Sequence, residues 1–273
     1  MSGKTCLVTG ATSGIGKATA LELAALGATV IIVARTEARG ATAADEIRRR
    51  VPDAQVRVMT ADLSDMAQVA ALVDEVVAAC DRLDVLVNNA GVISMRQQRT
   101  SAGLDTMFAT NHLGPFLLTT RLIPLLERSA PARVVTVASG AHRSVRTIPW
   151  DHLTDQPMSY PLSKLLNILF TVELATRLTG VTANCLHPGF IRTELGREVT
   201  GVPRALMAFA LRFRPGPEVG ARTSIYLATS PEVADVTGGY FEKCRPARPS
   251  ALATDTTAAA RLWTISENLV TRP

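Results

Sequence analysis

The stretch that most constrains this chain lies near its start. Five residues of strand character, Thr5-Cys6-Leu7-Val8-Thr9, run directly into Gly10-Ala11-Thr12-Ser13-Gly14-Ile15-Gly16. From Ile15 the sequence reads as a helix as far as Leu26, closed by Gly27 as a C-cap. In that context a backbone free of side chains can approach a pyrophosphate closely, and the helix N-terminus faces the anion. The spacing is G-x-x-x-G-x-G, not the G-x-G-x-x-G of the common dinucleotide fingerprint. Tight strand–helix packing is the other use of such glycines. The order of strand, turn and helix favours the anion cradle.

The rest of the chain repeats this alternation. Further strands are expected at 29–34, 55–60, 83–87, 133–137 and 181–186. Helices are expected at 37–50, at 64–80 with Ser64 as N-cap, at 111–128 with Pro124 as a kink or local break, and at 161–179. A Pro/Ala/Thr-rich loop at 245–257 then precedes a last short helix, 257–269. Continuous apolar strands alternating with helices predict an α/β fold: a single-domain, Rossmann-type, doubly wound parallel sheet with helices on both faces. Aromatic residues are 4% of the chain against 47% hydrophobic, so its core must be mostly Ala, Val, Leu and Ile. No linker or repeat interrupts residues 5–241, so all 273 residues are expected to form one domain, with a cofactor half at 1–130 and a catalytic and lid half at 131–273.

Charge narrows the function. The net charge of +5 is a mild basic excess that suits an anionic ligand. The densest run, Arg48-Arg49-Arg50, falls at an expected helix end, where cations complement the dipole. With neither a basic stripe nor an aromatic platform, no nucleic-acid partner is expected. The four cysteines are far apart, and none forms a CxxC. Reduced, intracellular thiols are expected. No apolar run reaches 18 residues and nothing resembling a signal peptide precedes Thr5, so a cytoplasmic chain without a membrane span is expected. His112, His142, His152 and His187 lack ligand spacing, and no metal is expected. His142 either borders the substrate cavity or makes a structural hydrogen bond. His187 reads as a packing or turn residue before Pro188.

Where an NAD fingerprint expects an acidic residue, the second strand ends in Ala34-Arg35-Thr36-Glu37-Ala38-Arg39. Arg35 and Arg39 suit a 2′-phosphate, whose oxygens match the planar guanidinium fork. NADP(H) is therefore preferred, although Glu37 could reach a ribose and keeps NAD(H) open. Asp62-Leu63 ends the third strand over the expected adenine position, and Asn88-Asn89-Ala90-Gly91 ends the fourth. Tyr160 and Lys164 stand at i and i+4, on one face of a helix. A phenol is a poor acid or base at neutral pH unless a neighbouring cation lowers its pKa. Ser139 ends the fifth strand, within reach of the same crevice, and could hydrogen-bond a carbonyl or alcohol oxygen.

These features together resemble the short-chain dehydrogenase/reductase family: Thr9-Gly10-(x)3-Gly14-Ile15-Gly16, Asn88-Asn89-Ala90-Gly91, Asn111, Ser139 and Tyr160-(x)3-Lys164 stand in family order. Pro188-Gly189 and Thr193 resemble its stretch around the nicotinamide. Arg35-(x)3-Arg39-Gly40, Asn111-His112-Leu113-Gly114, His187-Pro188-Gly189, Gly239-Tyr240-Phe241 and Arg261-Leu262-Trp263 resemble its retinol dehydrogenase-like branch. The resemblance implies Tyr160 as general acid in reduction and general base in oxidation. It implies that Lys164 holds the nicotinamide ribose, that Ser139 orients the substrate oxygen and that Asn111 holds a water linking Lys164 to bulk. Thr12, Ser13 and the glycines would carry the phosphates, with Ser13 helping Arg35 and Arg39. Many members of the branch carry an N-terminal membrane anchor, and none is expected here. A retinoid substrate therefore competes with another apolar aldehyde or ketone, including a natural-product or steroid-like one. The segment 192–217 is the expected substrate lid; its apolar run 206–211 is flanked by Arg204, Arg212 and Arg214 and could instead be core or touch a membrane surface. The class-level alternative is a non-catalytic NADP-binding sensor. The resemblance also implies a homo-oligomer through helices 111–128 and 161–179, with a monomer as the other state.

Overall fold

The computed structural model describes residues 1–94, 98–189, 191 and 215–271. Strands β1 (Thr5–Thr9), β2 (Thr29–Ala34), β3 (Val56–Thr60), β4 (Val85–Asn88), β5 (Ala132–Val137), β6 (Val181–His187), β7 (Tyr240–Glu242) and β8 (Arg245–Pro246) form one sheet in the order β3-β2-β1-β4-β5-β6-β7-β8. All neighbours pair in parallel except β7 with β8. The order reverses between β1 and β4, which leaves a crevice at the carboxyl ends of the strands.

The pleat sends alternate residues to opposite faces. On β1, Leu7 packs with Ile31, Leu86 and Val134 beneath helices α3 (Met66–Ala79), α5 (Gly114–Arg128) and α6 (Tyr160–Ala175). Cys6 and Val8 join Val30, Ile32, Val87 and Val135 on the other face, under α1 (Gly14–Ala25), α2 (Glu37–Arg50) and α7 (Pro217–Thr229). Both faces are therefore covered, as the unbroken apolar strands require. The last helix, α8 (Thr256–Val270), docks against α6 through Ala259, Leu262 and Trp263. No helix among the described residues is long and apolar enough to cross a membrane.

The structure redraws four expectations. Helix α3 begins at Met66, not Ser64: the Asp65 carboxylate accepts from the N–H groups of Ala67 (2.9 Å) and Gln68 (3.3 Å), while the Ser64 hydroxyl is tied to Asp62 (2.8 Å). The helix expected at 111–128 starts earlier and is composite. Asp105 caps the short α4 (Thr106–Phe108), a π turn follows at Ala109–Leu113, and α5 then runs through Pro124 without ending. Pro124 stands on the exposed side of α5. The 245–257 loop contains β8 and a 3₁₀ turn, Ala251–Thr254. Finally, Pro217, placed at the end of the lid, opens α7. Most of the proposed lid, 192–214, lies outside the described residues.

Candidate active site

The glycine turn is built so that backbone alone faces the crevice. A Cβ on Gly16 would overlap the Asn89 amide and the Gly10 carbonyl, so the first turn of α1 sits directly on the loop. Gly14 has φ +55°, and a Cβ there would meet no atom within 4 Å. It therefore borders open space that an incoming group could fill. The N-cap Ser13 is extended and makes no side-chain cap, which leaves the first N–H groups of α1 to a ligand. The turn is braced from β4. Asn89 Nδ2 donates to the Thr9 carbonyl (2.8 Å), and Thr9 Oγ1 accepts the N–H groups of Asn89 and Ala90, each at 3.0 Å.

At the far end of the crevice, Arg35 and Arg39 are exposed and form no ion pair among the described residues. Asp62 Oδ1 accepts from Ser64 N and Ser64 Oγ, both at 2.8 Å, and so shapes the turn after β3. Leu63 is buried beside it.

The chemical end lies where β5 meets α6. Ser159 caps α6, its hydroxyl accepting from Leu162 N at 3.3 Å, and Pro161 fits the first turn because it needs no donor there. This places Tyr160 and Lys164 one turn apart, with the Lys164 Nζ 5.7 Å from the centre of the Tyr160 ring. Nζ donates to the Val137 carbonyl at 2.9 Å. Burial lowers the Lys164 pKa to about 8. Burial pushes the Tyr160 phenol up, and the Ser139 hydroxyl beside it acts in the opposite direction. Ser139 also opens a 3₁₀ turn (Gly140–Ser144), its Oγ accepting from Ala141 N at 3.2 Å.

Asn111 is fully buried inside the π turn. Its Oδ1 accepts from Val92 N (2.7 Å), and its Nδ2 donates to Val92 O (3.0 Å) and Ser163 Oγ (3.1 Å). The side chain thus ties the loop after β4 to α6. A π turn inside a helix often marks a functional position.

One cavity of about 540 Å³ joins these parts. Its wall includes Gly10, Thr12, Ser13, Gly14, Ile15 and Gly16, then Arg35, Arg39, Asp62 and Leu63, then Asn89, Ala90, Gly91, Ser139, Tyr160, Lys164, Pro188 and Gly189. Asn111 stands behind this wall, against Gly91 and Val92. Thr193 lies outside the described residues. The sequence reading missed a further part of the lining, which carries Ile93, Met107, Met158 and Ile191 with Gln98 and Thr106. The Asp105 cap offered one local signal for Thr106 and Met107; Met158 and Ile191 carried none. Such a mixed wall, apolar with a few polar groups, is the usual make-up of a small-molecule site. His142 is absent from this wall and makes structural hydrogen bonds behind it.

Comparison with known proteins points the same way. A family model described as short chain dehydrogenase matches residues 4–201. The chain is 43% identical to retinol dehydrogenase 14 of Mus musculus over 289 residues, covering 99% of this chain and 86% of that protein. It is 40% identical to retinol dehydrogenase 12 of Homo sapiens, covering 99% and 87%. Among solved structures, an uncharacterized protein from Mycobacterium Paratuberculosis superposes with a TM-score of 0.78 at 34% identity, covering 98% of this chain and 94% of that one. The Pseudomonas aeruginosa RhlG/NADP active-site complex gives 0.72 at 29% identity, covering 88% and 94%.

Proposed function

The chain belongs to the short-chain dehydrogenase family and is retinol dehydrogenase-like, and from that premise we propose that it is an NADP(H)-dependent oxidoreductase interconverting an apolar aldehyde or ketone and its alcohol. The observation that carries this reading is the convergence of Ser139, Tyr160 and Lys164 on one cavity with an uncapped helix N-terminus and two arginines that form no ion pair among the described residues. The cradle fits the cofactor: Gly14 adjoins open space, and the first N–H groups of α1 face it. In this reading Gly10 to Gly16, with Thr12 and Ser13, hold the pyrophosphate, and Arg35 and Arg39 grip the 2′-phosphate. Asp62 and Leu63 border the adenine. Asn89, Ala90 and Gly91, with Pro188, Gly189 and Thr193, frame the nicotinamide. Bound NADPH would supply the hydride that adds to the carbonyl carbon.

The protein's own residues manage the oxygen. Ser139 donates to the substrate oxygen and orients it. Tyr160 gives that oxygen its phenolic proton in reduction and takes it back in oxidation. A phenol pushed up by burial stays protonated at neutral pH, which suits the acid role. Lys164 contributes a positive charge that favours the phenolate after transfer. Asn111 holds the Val92 loop and, through Ser163, the first turn of α6 in register with the site. Ile93, Met107, Met158 and Ile191 exclude water and suit an apolar substrate body.

Tyr160→Phe tests the reading. Turnover is expected to vanish while NADPH binding stays near wild type, because the phenol acts on substrate. Full turnover in that variant would remove Tyr160 from the mechanism, and with it the main support for an enzyme over an NADP-binding sensor.

A further inference from the structure

Ser139 lines the cavity, and a histidine outside that lining holds its backbone. His142 is fully buried in the 3₁₀ turn that Ser139 opens. Its Nε2 accepts the backbone N–H of Ser250 at 3.1 Å. A backbone amide can only donate, so Nε2 is bare and the ring proton sits on Nδ1. That Nδ1–H points at the Ser139 carbonyl, 2.7 Å away. The same carbonyl also accepts the His142 backbone N–H, at a longer 3.2 Å. The ring is the stronger of the two restraints on the residue that faces the substrate.

The surroundings hold the ring in this neutral form. Tyr240 meets it edge-on at 5.2 Å between centres. Arg143 is paired with Glu242 (2.9 Å), its guanidinium stands 5.5 Å from the Tyr240 ring centre, and it donates to the Arg248 carbonyl (2.9 Å). His187 packs on Gly140 from β6. Burial also keeps the His142 pKa below the ordinary histidine value. The ring is therefore a rigid strut between the Ser139 turn and the 245–254 segment.

We propose that His142 is a positioning residue: through its Nδ1–H it fixes the Ser139 turn, and so the direction of the Ser139 hydroxyl toward Tyr160 and the substrate oxygen. The inference rests on the proposed carbonyl chemistry for its kinetic consequence, but not for its geometry. A hydroxyl displaced by a fraction of an ångström weakens substrate orientation without touching the cofactor cradle.

Two variants and two readouts test this. His142→Leu removes both hydrogen bonds at similar volume. His142→Asn places an amide N–H where Nδ1–H stood and loses only the Ser250 contact. With an apolar carbonyl and NADPH, His142→Leu is expected to lose roughly tenfold or more in kcat, with NADPH affinity unchanged, and His142→Asn to recover most of it. Wild-type kcat in His142→Leu, or an Asn variant as impaired as the Leu variant, would overturn the inference. The second readout needs no turnover. In ¹⁵N- and ¹³C-labelled protein, Nδ1 should be protonated and Nε2 bare at neutral pH. The Tyr160 ring carbon bearing oxygen, assigned with Tyr160→Phe, should shift in His142→Leu and return in His142→Asn. An Nε2–H tautomer, or an unmoved Tyr160 signal, would also overturn it. If the wild type reduces no carbonyl, the proposed function fails, and the inference is then decided by the spectra.

Discussion

Lys164 is a cation held at 3% exposure with one hydrogen bond among the described residues, to the Val137 carbonyl. Keeping it charged at neutral pH against a pKa of about 8, instead of the ordinary 10.5, costs roughly 3 kcal/mol. The fold prefers the neutral form, so this cost is full below pH 8 and fades as pH rises toward 10.5. Lys164→Met should therefore raise the melting temperature of the cofactor-free protein at pH 7 while abolishing turnover. The bare Val137 carbonyl returns about 1–2 kcal/mol of the gain. A lower melting temperature would show that the lysine supports the fold. Arg35→Asp makes the companion test on cofactor choice: it should move preference from NADPH toward NADH, and an unchanged ratio would make Arg35 a bystander. At this scale the sequence revealed what is local. Tyr160 and Lys164 are legible because their spacing alone puts them on one helix face, and the glycines because the turn directly follows a strand. The His142–Ser250 and Arg143–Glu242 contacts were not legible, because each joins residues about a hundred positions apart.

Among the elements, α8 decides how firmly α6 is held. Trp263 meets Phe116 at 4.9 Å, stacks with Phe170 at 6.0 Å, and carries the Arg177 guanidinium 4.2 Å from its ring centre. Trp263→Ala should cost about 3–5 kcal/mol in denaturant unfolding, since it empties a packed site shared by α5, α6 and α8. A cost under about 1 kcal/mol would mean that the site collapses without penalty. The π turn contributes His112, which stacks on Phe108 at 5.6 Å and bonds Ser266 Oγ of α8 at 2.8 Å. Burial pushes its pKa down to about 3. The unfolded chain takes up that proton near pH 6.5, so stability should fall as pH drops from 6.5 toward 3. His112→Phe should flatten this acid limb in pH-dependent unfolding; an unchanged slope would assign it to the carboxylates. The long helices and central strands were legible from apolar runs and caps. The π turn was not, because one extra residue per turn leaves no mark in the hydrophobic spacing. Strands β7 and β8 are too short to show alternation, and α7 was not expected, because its first residue, Pro217, read as the end of the lid.

For the whole molecule, the reversal of strand order between β1 and β4 gathers the site. It brings the glycine turn, the arginine pair and the Tyr160 helix to one end of the sheet, around a single cavity. The doubly wound sheet was readable from the alternation of elements. The apolar part of the cavity lining was not, because it is assembled from four separate segments of chain that only the fold brings together. The account predicts that this cavity admits NADPH at one end and an apolar carbonyl at the other. Its most direct test is cofactor consumption by purified protein against a panel of apolar aldehydes and ketones, with NADPH and NADH in parallel and Tyr160→Phe as control. Turnover with NADPH well above NADH, lost in the Tyr160 variant, is the predicted result. Tight NADPH binding with no turnover across the panel, or equal turnover in wild type and variant, would contradict it.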